Sequence, residues 1–290
     1  MKIAIIGGGF VGVATASLKS ENIDVIIYDI DRKKCSPPDI QLDDLLKDDV
    51  DIIFICLPTP YNPINGVCIT SIIEDFIKSL IQFDNNITNK IVIRSTIPPT
   101  LCDKYNVAHM PEFLTESNPI GTFKATNLWV IGINDNDELK NKLVTLLNYA
   151  YTNGVINSNK IQFCNTKESS LIKLARNSFL AMKVSFFNEI YDIVEGYGVD
   201  YETVRYGISG DLRIGDSHSK VPGPDGYFGW GGICLGKDLN SGIITAENVG
   251  VDPIILKAIR ERNKKDRPID AEKIDHVIGR SVLTEINKNQ

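Results

Sequence analysis

The chemically richest stretch of the chain is Phe228-Gly229-Trp230-Gly231-Gly232-Ile233-Cys234-Leu235-Gly236-Lys237-Asp238, which sets four glycines, a thiol, an ammonium and a carboxylate within eleven residues. Glycine lets a ligand approach the backbone, and a cation beside a thiol favours the thiolate, the form that attacks carbonyl carbon. A cysteine on its own is usually a small buried apolar residue. That reading is assigned to Cys35, Cys56, Cys68, Cys102 and Cys164, and the loop sets Cys234 apart from them. Lys173 and Asn177 are four apart in a stretch of helical spacing and so share a face. Their neighbours are too apolar to leave that helix a broad wet side, so the pair is expected to line a cavity. Pro111-Glu112-Phe113-Leu114-Thr115-Glu116 sets two carboxylates four residues apart after a strand, where they can bind hydroxyls or move protons. Arg213, in Asp211-Leu212-Arg213-Ile214-Gly215, offers paired donors to phosphate or sugar oxygens.

A second signal sits at the start of the chain. Gly7-Gly8-Gly9-Phe10-Val11-Gly12 fits G-x-G-x-x-G, follows the short apolar run Lys2–Ile6 and opens a helical stretch. Glycines there permit a tight turn and a close approach of backbone N–H groups to a pyrophosphate, which the positive helix end favours. Such a cluster alone also marks simple turns, and the test is an acidic residue at the end of the next strand. Asp29 supplies it, 17 residues after Gly12, where it is expected to accept bonds from the adenosine ribose; Asp31 is a rival for that role. A carboxylate there repels a 2′-phosphate, so NAD is favoured over NADP, with Arg32 weakening the preference slightly.

The elements that must position these groups alternate. Short β-branched runs at residues 2–6, 23–28, 52–56, 90–94, 106–109, 128–132 and 160–163 read as strands. Stretches 10–18, 43–46, 70–81 and 137–147 between them read as helical. This is the pattern of βαβ units in an α/β, Rossmann-like, doubly wound parallel sheet. Leu57-Pro58-Thr59-Pro60 and Arg94-Ser95-Thr96-Ile97-Pro98-Pro99 follow strands and therefore sit at the carboxyl edge, where ligands bind in such sheets. From Thr166 to Gly196 the chain reads as one long, largely buried helix without internal proline or glycine, followed by a glycine-rich loop from Gly207 to Gly242 and a short helix near 253–264. Arg260 to Gln290 is dense in charge and is expected to be a solvated end. The domain reading is 1–165 for dinucleotide binding, 166–265 for a helical dimerisation and active-site domain, and 266–290 for a charged end.

With 290 residues, 43% hydrophobic and 23% charged, the composition is that of a globular protein. A net charge of −6 without a basic run makes nucleic acid a poor partner. No apolar run approaches the roughly 18 residues of a membrane helix. Six scattered cysteines without a CxxC pair suit neither a disulfide framework nor a zinc site, so no metal is expected and a reduced, cytoplasmic setting is favoured.

Several motifs together carry a resemblance: the glycine fingerprint, Leu-Pro-Thr-Pro, Ser-Thr-Ile-Pro, Pro-Glu-Phe-Leu-x-Glu, Lys-Leu-x-x-Asn with Ala-x-Lys-Val-Ser-Phe-x-Asn-Glu, and Gly-Gly-x-Cys-x-x-Lys-Asp. Their types and order resemble the UDP-glucose/GDP-mannose 6-dehydrogenase family over roughly residues 1 to 265. The resemblance implies an NAD-dependent, four-electron oxidation of the primary alcohol of UDP-glucose or a related sugar nucleotide, without release of the aldehyde. GDP-mannose and UDP-N-acetylhexosamines are the near rivals. By the same resemblance Cys234 is the nucleophile, Lys173 and Asn177 bind the oxyanion, Asp238 with Thr96 places a water, and Glu116 is an acid or base. The group that removes the first proton stays open between Asp238 and Lys173. Cofactor contacts are expected from Gly7, Gly9, Phe10, Val11, Gly12, Asp29, Pro58, Thr59, Ser95, Thr96 and Lys237. Sugar-nucleotide contacts are expected from Glu112, Phe113, Leu114, Tyr227 and Gly231, with Arg213 reaching the substrate of a second subunit in a homodimer built on the long helix. Three departures from the family pattern stand out. A third, nucleotide-capping domain is expected to be absent, the loop around Cys35-Ser36-Pro37-Pro38 is short, and Ser170 and Gly236 replace a usual acid and a usual proline. Two rivals are a β-hydroxyacid dehydrogenase, which needs no cysteine, and a non-catalytic NAD-binding remnant.

Overall fold

The structure is a computed structural model that describes residues 1–47, 49–62, 66–232 and 234–267. The chain forms two compact units, Met1–Thr59 with Thr70–Lys173 and Pro60–Ile69 with Leu174–Gln290.

The first unit is built on seven strands: β1 (Lys2–Ile6), β2 (Asp24–Tyr28), β3 (Ile52–Ile55), β4 (Ile91–Ile93), β5 (Ala108–His109), β6 (Trp129–Gly132) and β7 (Ile161–Cys164), in the order β2-β1-β3-β4-β5-β6-β7. All seven fall within a few residues of the runs read from sequence. Strands buried on both faces need apolar residues at every position rather than at alternate ones, which is why Ile52-Ile53-Phe54-Ile55 is apolar throughout. Ile3, Ile5, Phe54 and Val92 pack on one side with Phe123, Leu143 and Leu146, and Ala4, Ile6, Ile53 and Ile55 pack on the other with Ile73, Ile77 and Leu80. Helices α1 (Phe10–Ala16), α2 (Ser71–Phe83), α3 (Leu101–Tyr105), α4 (Pro119–Lys124) and α5 (Asp137–Thr152) make the connections.

One expectation is corrected here: the sheet is not wholly parallel. His109 pairs with Gly132 in antiparallel sense, and β7 follows β6 in parallel, so the last two strands run against the first five. A parallel partner needs a crossover long enough to return the chain to the other edge. The segment after β5 is spent on an irregular loop and the six-residue α4, so β6 starts from the carboxyl edge.

Helix α6 (Thr166–Tyr197) begins at a reciprocal cap, in which Asn165 Oδ1 accepts from Glu168 N at 2.9 Å and Glu168 Oε2 accepts from Asn165 N at 2.8 Å. Gly196 does not end it. The helix ends at Gly198, whose φ of +66° is open to glycine at little cost. In the second unit follow α7 (Tyr201–Ser209), α8 (Leu235–Glu247) and α9 (Ile254–Asp266). The glycine-rich loop is therefore shorter at both ends than the sequence suggests. Glycine density marks the loop, but Gly207 sits inside α7, and Gly236 and Gly242 sit inside α8, where Leu239 and Ile243 are buried. Ala181, Trp230, Leu239, Ile243 and Ile259 form one core of this unit, and Phe187, Val194, Tyr201 and Val221 another.

The solvated-end expectation is corrected as well, up to Arg267. Ile259, Asn263 and Arg267 are buried, because α9 lays one side against the segment around Trp230. Asn263 Oδ1 accepts from Trp230 N at 2.7 Å, and its Nδ2 donates to Trp230 O at 3.0 Å. The remainder of the charged end, 268–290, lies outside the described residues. Among the described residues no helix is long and apolar enough to cross a membrane.

Candidate active site

In the first unit the glycine turn is fixed by the sheet beneath it. Gly7 has φ +99°, and a Cβ there would lie 2.7 Å from Cys56 O, so both conformation and space require glycine. Gly8 N donates to Asp29 Oδ2 at 2.6 Å, and Asp31 N donates to Asp29 Oδ1 at 2.8 Å. Asp29 thus holds the turn, while a carboxylate retains further lone pairs for a ligand. Asp31, the rival, caps the short turn Arg32–Lys34 by accepting from Lys33 N. Arg32 is tied down by its Nη2, which donates to Ile40 O at 2.6 Å. Phe10 and Val11 open α1, and Gly12 packs against the turn at Gly7.

Beyond β3 and β4, Ser95 Oγ donates to Leu57 O at 2.5 Å and joins the two proline-containing loops. Thr59, Ser95 and Thr96 are buried and Pro58 is exposed. Beyond β5, Glu112 is buried: Lys173 Nζ donates to its Oε1 and to its backbone O, both at 2.7 Å, and Leu114 N donates to Oε2 at 2.8 Å. The Phe113 ring centre lies 5.4 Å from Lys173 Nζ. Glu116 lies in the exposed part of that loop.

The first two turns of α6 explain how Lys173 arrives. Thr166 Oγ1 donates to Asp103 at 2.6 Å, Ser169 Oγ meets His109 Nδ1 at 2.8 Å, and Ser170 Oγ donates to Ile97 O at 2.5 Å. With Lys173 these occupy positions i, i+3, i+4 and i+7, a single helix face. Ser170 is therefore a buried tether. Gly132 has no side chain because a Cβ would lie 2.7 Å from Ser169 Cβ. Burial pushes the His109 imidazole down to about 3, so it is neutral near pH 7.

In the second unit Cys234 is the residue from which α8 starts, and its thiol is half-buried. The positive end of a 13-residue helix favours a thiolate there. Lys237 and Asp238 are buried in the first turn and paired with each other, and Asn177 Nδ2 donates to Asp238 Oδ2 at 2.6 Å. Burial disfavours the Lys237 charge, but Asp238 and the thiols of Cys68 and Cys234 outweigh it and hold the ammonium above its ordinary range. Lys237, expected at the cofactor, is thus paired inside the helix.

Arg213 is clasped by Asp211 at the surface, with Nη2 donating at 2.5 Å. Tyr227 is exposed, and its ring centre lies 5.2 Å from the guanidinium of the buried Arg267, which also pairs with Asp225 at 2.8 Å. Gly231 leaves room for that guanidinium, since a Cβ would come within 2.8 Å of Arg267 Nε. The structure therefore groups Glu112, Phe113, Leu114 and Lys173 in one unit and Asn177, Cys234, Lys237 and Asp238 in the other. Cys68 beside Lys237, Arg94, Asn263 and Arg267 were not read as site residues. A charged or thiol residue in an unremarkable run gives no one-dimensional sign of burial. No disulfide joins the six cysteines, and among the described residues no group of three His, Cys, Asp or Glu is assembled for a metal.

Residues 44–151 match the NAD binding domain of the UDP-glucose/GDP-mannose dehydrogenase family, and 167–265 match its central domain. UDP-glucose 6-dehydrogenase of Rickettsia typhi is 30% identical, with 91% of this chain aligned to 67% of its length. The solved UDP-glucose dehydrogenase of Pyrobaculum islandicum superposes with a TM-score of 0.73 at 25% identity, over 91% of this chain and 68% of its own. The GDP-mannose dehydrogenase of Pseudomonas aeruginosa does so with a TM-score of 0.62, also at 25% identity, over 92% and 69%. This chain spans about two thirds of the length of these relatives. The matched cofactor region starts after the glycine turn, so the fit of NAD at that turn rests on its own cradle: no Cβ at Gly7 and Asp29 beneath Gly8. A dinucleotide cradle, a thiol at a helix start and matches to both domain models lead to one assignment: the chain belongs to the UDP-glucose/GDP-mannose dehydrogenase family and is an NAD-binding oxidoreductase.

Proposed function

We propose that this oxidoreductase converts the C6 alcohol of UDP-glucose to the carboxylate of UDP-glucuronate in two oxidations, holding the intermediate aldehyde on Cys234. The observation that carries this reading is Cys234 at the start of α8, one turn before the buried Lys237–Asp238 pair that Asn177 orients. NAD, when bound, takes up the hydride lost from the sugar carbon in each oxidation. The Cys234 thiolate adds to the aldehyde carbon, because the second hydride can leave only after a nucleophile has added. The product of that addition is a thiohemiacetal, and its oxidised form is a thioester on Cys234. Lys173 and Asn177 donate to the developing oxyanion, where a fixed cation sheltered from water is worth several kcal/mol. Asp238 with Thr96 orients the water, and Glu116 exchanges the proton as water cleaves the thioester and restores the thiolate. Glu112 holds Lys173 in place through their 2.7 Å ion pair. Phe113, Leu114, Tyr227 and Gly231 line the sugar nucleotide in this reading.

GDP-mannose is the second reading, because the UDP-glucose and GDP-mannose enzymes of known structure are equally identical to this chain, at 25%. The test counts NADH formed per sugar nucleotide consumed, with excess NAD and the two sugar nucleotides in parallel tubes. Two NADH per UDP-glucose, with UDP-glucuronate as product, is the expected result. One NADH would remove the cysteine chemistry, and turnover confined to GDP-mannose would reassign the substrate.

A homodimer through α6 belongs to the same proposal. Phe179, Phe186, Ile193 and Tyr197 are exposed at spacings of seven, seven and four, which keeps them along one side of the helix. A second copy covers that stripe and brings its Arg213 to the neighbouring substrate. Light scattering is expected to give twice the chain mass, and Phe186→Asp the single mass. Six thiols without a disulfide suit the cytoplasm, where we place the protein.

A further inference from the structure

Trp230 is tied to its surroundings more firmly than the proposed chemistry requires. Its backbone N donates to Asn263 Oδ1 at 2.7 Å and its backbone O accepts from Asn263 Nδ2 at 3.0 Å, so α9 holds the peptide on both sides. Its indole Nε1 donates to Ser185 Oγ at 3.1 Å, and the preceding Gly229 N donates to Asn188 Oδ1 at 2.9 Å. Ser185 and Asn188 are three apart on α6 and share a side of it, and Asn188 is oriented by its Nδ2, which donates to Val184 O at 2.8 Å. The ring is buried in the core that it forms with Ala181, Leu239, Ile243 and Ile259. A buried side chain whose polar atoms are all bonded to two helices is held in a single orientation.

What the fixed ring touches is the first turn of α8. A Cβ on Gly236 would lie 3.2 Å from Trp230 Cζ3, closer than side chains ordinarily pack, so it is the bare Cα that lets the indole rest on that turn. Leu235, the first residue of α8, packs into the same core. Gly236 stands two residues after Cys234 and directly before Lys237. Glycine gives a helix end little stiffness of its own, and the first turn has the fewest backbone bonds to hold it. Within the helix, Asp238 N donates to Cys234 O and Asn240 Nδ2 donates to Gly236 O, both at 3.0 Å. The indole adds a contact from outside, carried by α6 and α9.

The influence of a helix end falls off within one turn, so the reactivity of a thiol there depends on where that turn stands. We propose that Trp230 is a positioning residue: its indole, held by Ser185 and Asn263, is the seat on which the first turn of α8 rests, and it keeps the Cys234 thiol where the helix end activates it. The inference rests on Cys234 being the reactive thiol and not on the identity of the sugar.

The test is the rate at which iodoacetamide alkylates Cys234 in the purified full chain without sugar nucleotide, read by peptide mass spectrometry and set beside the unfolding midpoint. Cys234 is expected to react fastest of the six thiols; if it does not, the nucleophile reading fails and the proposal with it. Trp230→Phe draws the ring back from Gly236 and Gly236→Ala pushes into it, and each is expected to slow alkylation about fivefold or more. In the double variant the added methyl fills the space that the smaller ring leaves, and the rate is expected to return to within about twofold of the unaltered chain. Ile259→Ala opens a cavity in the same core from α9, and is expected to lower the midpoint while leaving the rate within about twofold. Single effects that multiply in the double variant, or a rate that falls with the midpoint in Ile259→Ala as well, would make Trp230 a core residue only and overturn the proposal. If Gly236→Ala does not fold, Trp230→Phe against Ile259→Ala decides, and equal rates there overturn it.

Discussion

Lys173 and Lys237 are each buried against a carboxylate, but the two pairs are assembled in opposite ways. Lys173 meets Glu112 from 61 residues away, helix to loop, and the carboxylate depends on it. Lys237 meets its own neighbour, Asp238, and the long reach of 61 residues is made instead by Asn177, which gives that carboxylate a second partner. In the first case tertiary structure places the charge. In the second a helix turn places it and tertiary structure only adds a neutral donor. The sheet-edge pair should therefore report on the fold, and the α8 pair on local chemistry.

The largest effect separates chemistry from both pairs. If Cys234 is the nucleophile proposed above, Cys234→Ser reduces complete oxidation by ~10³-fold or more, while the unfolding midpoint barely moves. Product assay beside thermal unfolding checks it, and retained two-NADH stoichiometry would contradict it. Next, Glu112→Ala removes the carboxylate against which the Lys173 ammonium is buried and is expected to cost about 3–5 kcal/mol of stability in urea unfolding. Lys237→Met leaves Asp238 still bonded to Asn177 and should cost less, about 1–3 kcal/mol. Equal losses would erase the distinction between the pairs. A smaller, pH-dependent effect belongs to the sheet edge alone. Unfolded histidine binds its proton below about 6.5 and buried His109 only below about 3, so between those values the unfolded state holds the extra proton. Stability from this source is complete above about 6.5 and falls as pH drops toward 3. His109→Gln should flatten that part of the melting-temperature profile; an unchanged slope would place the titration elsewhere.

Much of the sheet was legible because a strand buried on both faces must be apolar at every position, as Ile52-Ile53-Phe54-Ile55 and Ile91-Val92-Ile93 are. The glycine turn and the cysteine loop were legible because backbone crowding and thiol chemistry leave composition marks. The direction of β6 was not, since it depends on how far the chain travels after β5 and not on the residues of β6. Arg94, Glu112, Asn263 and Arg267 show the other limit. Charge in a sequence reads as contact with water, and only the fold reveals that Asn263 grips the Trp230 backbone or that Arg267 fills the space left by Gly231. Ser170 likewise reads as a lost acid, whereas its hydroxyl is a tether to Ile97.

The four contacts made by Thr166, Ser169, Ser170 and Lys173 also give the start of α6 a phase. An α-helix turns by about 100° and advances about 1.5 Å with each residue, so one residue inserted between 170 and 173 would swing Lys173 a quarter-turn or more from Glu112 while leaving the three tethers at 166, 169 and 170 in register. The length of that two-turn segment is thus as informative as its composition. Any viable change in length there would have to come as whole turns, seven residues being the nearest near-match, and a chain altered by one or two would keep Lys173 in its sequence while aiming it away from Glu112.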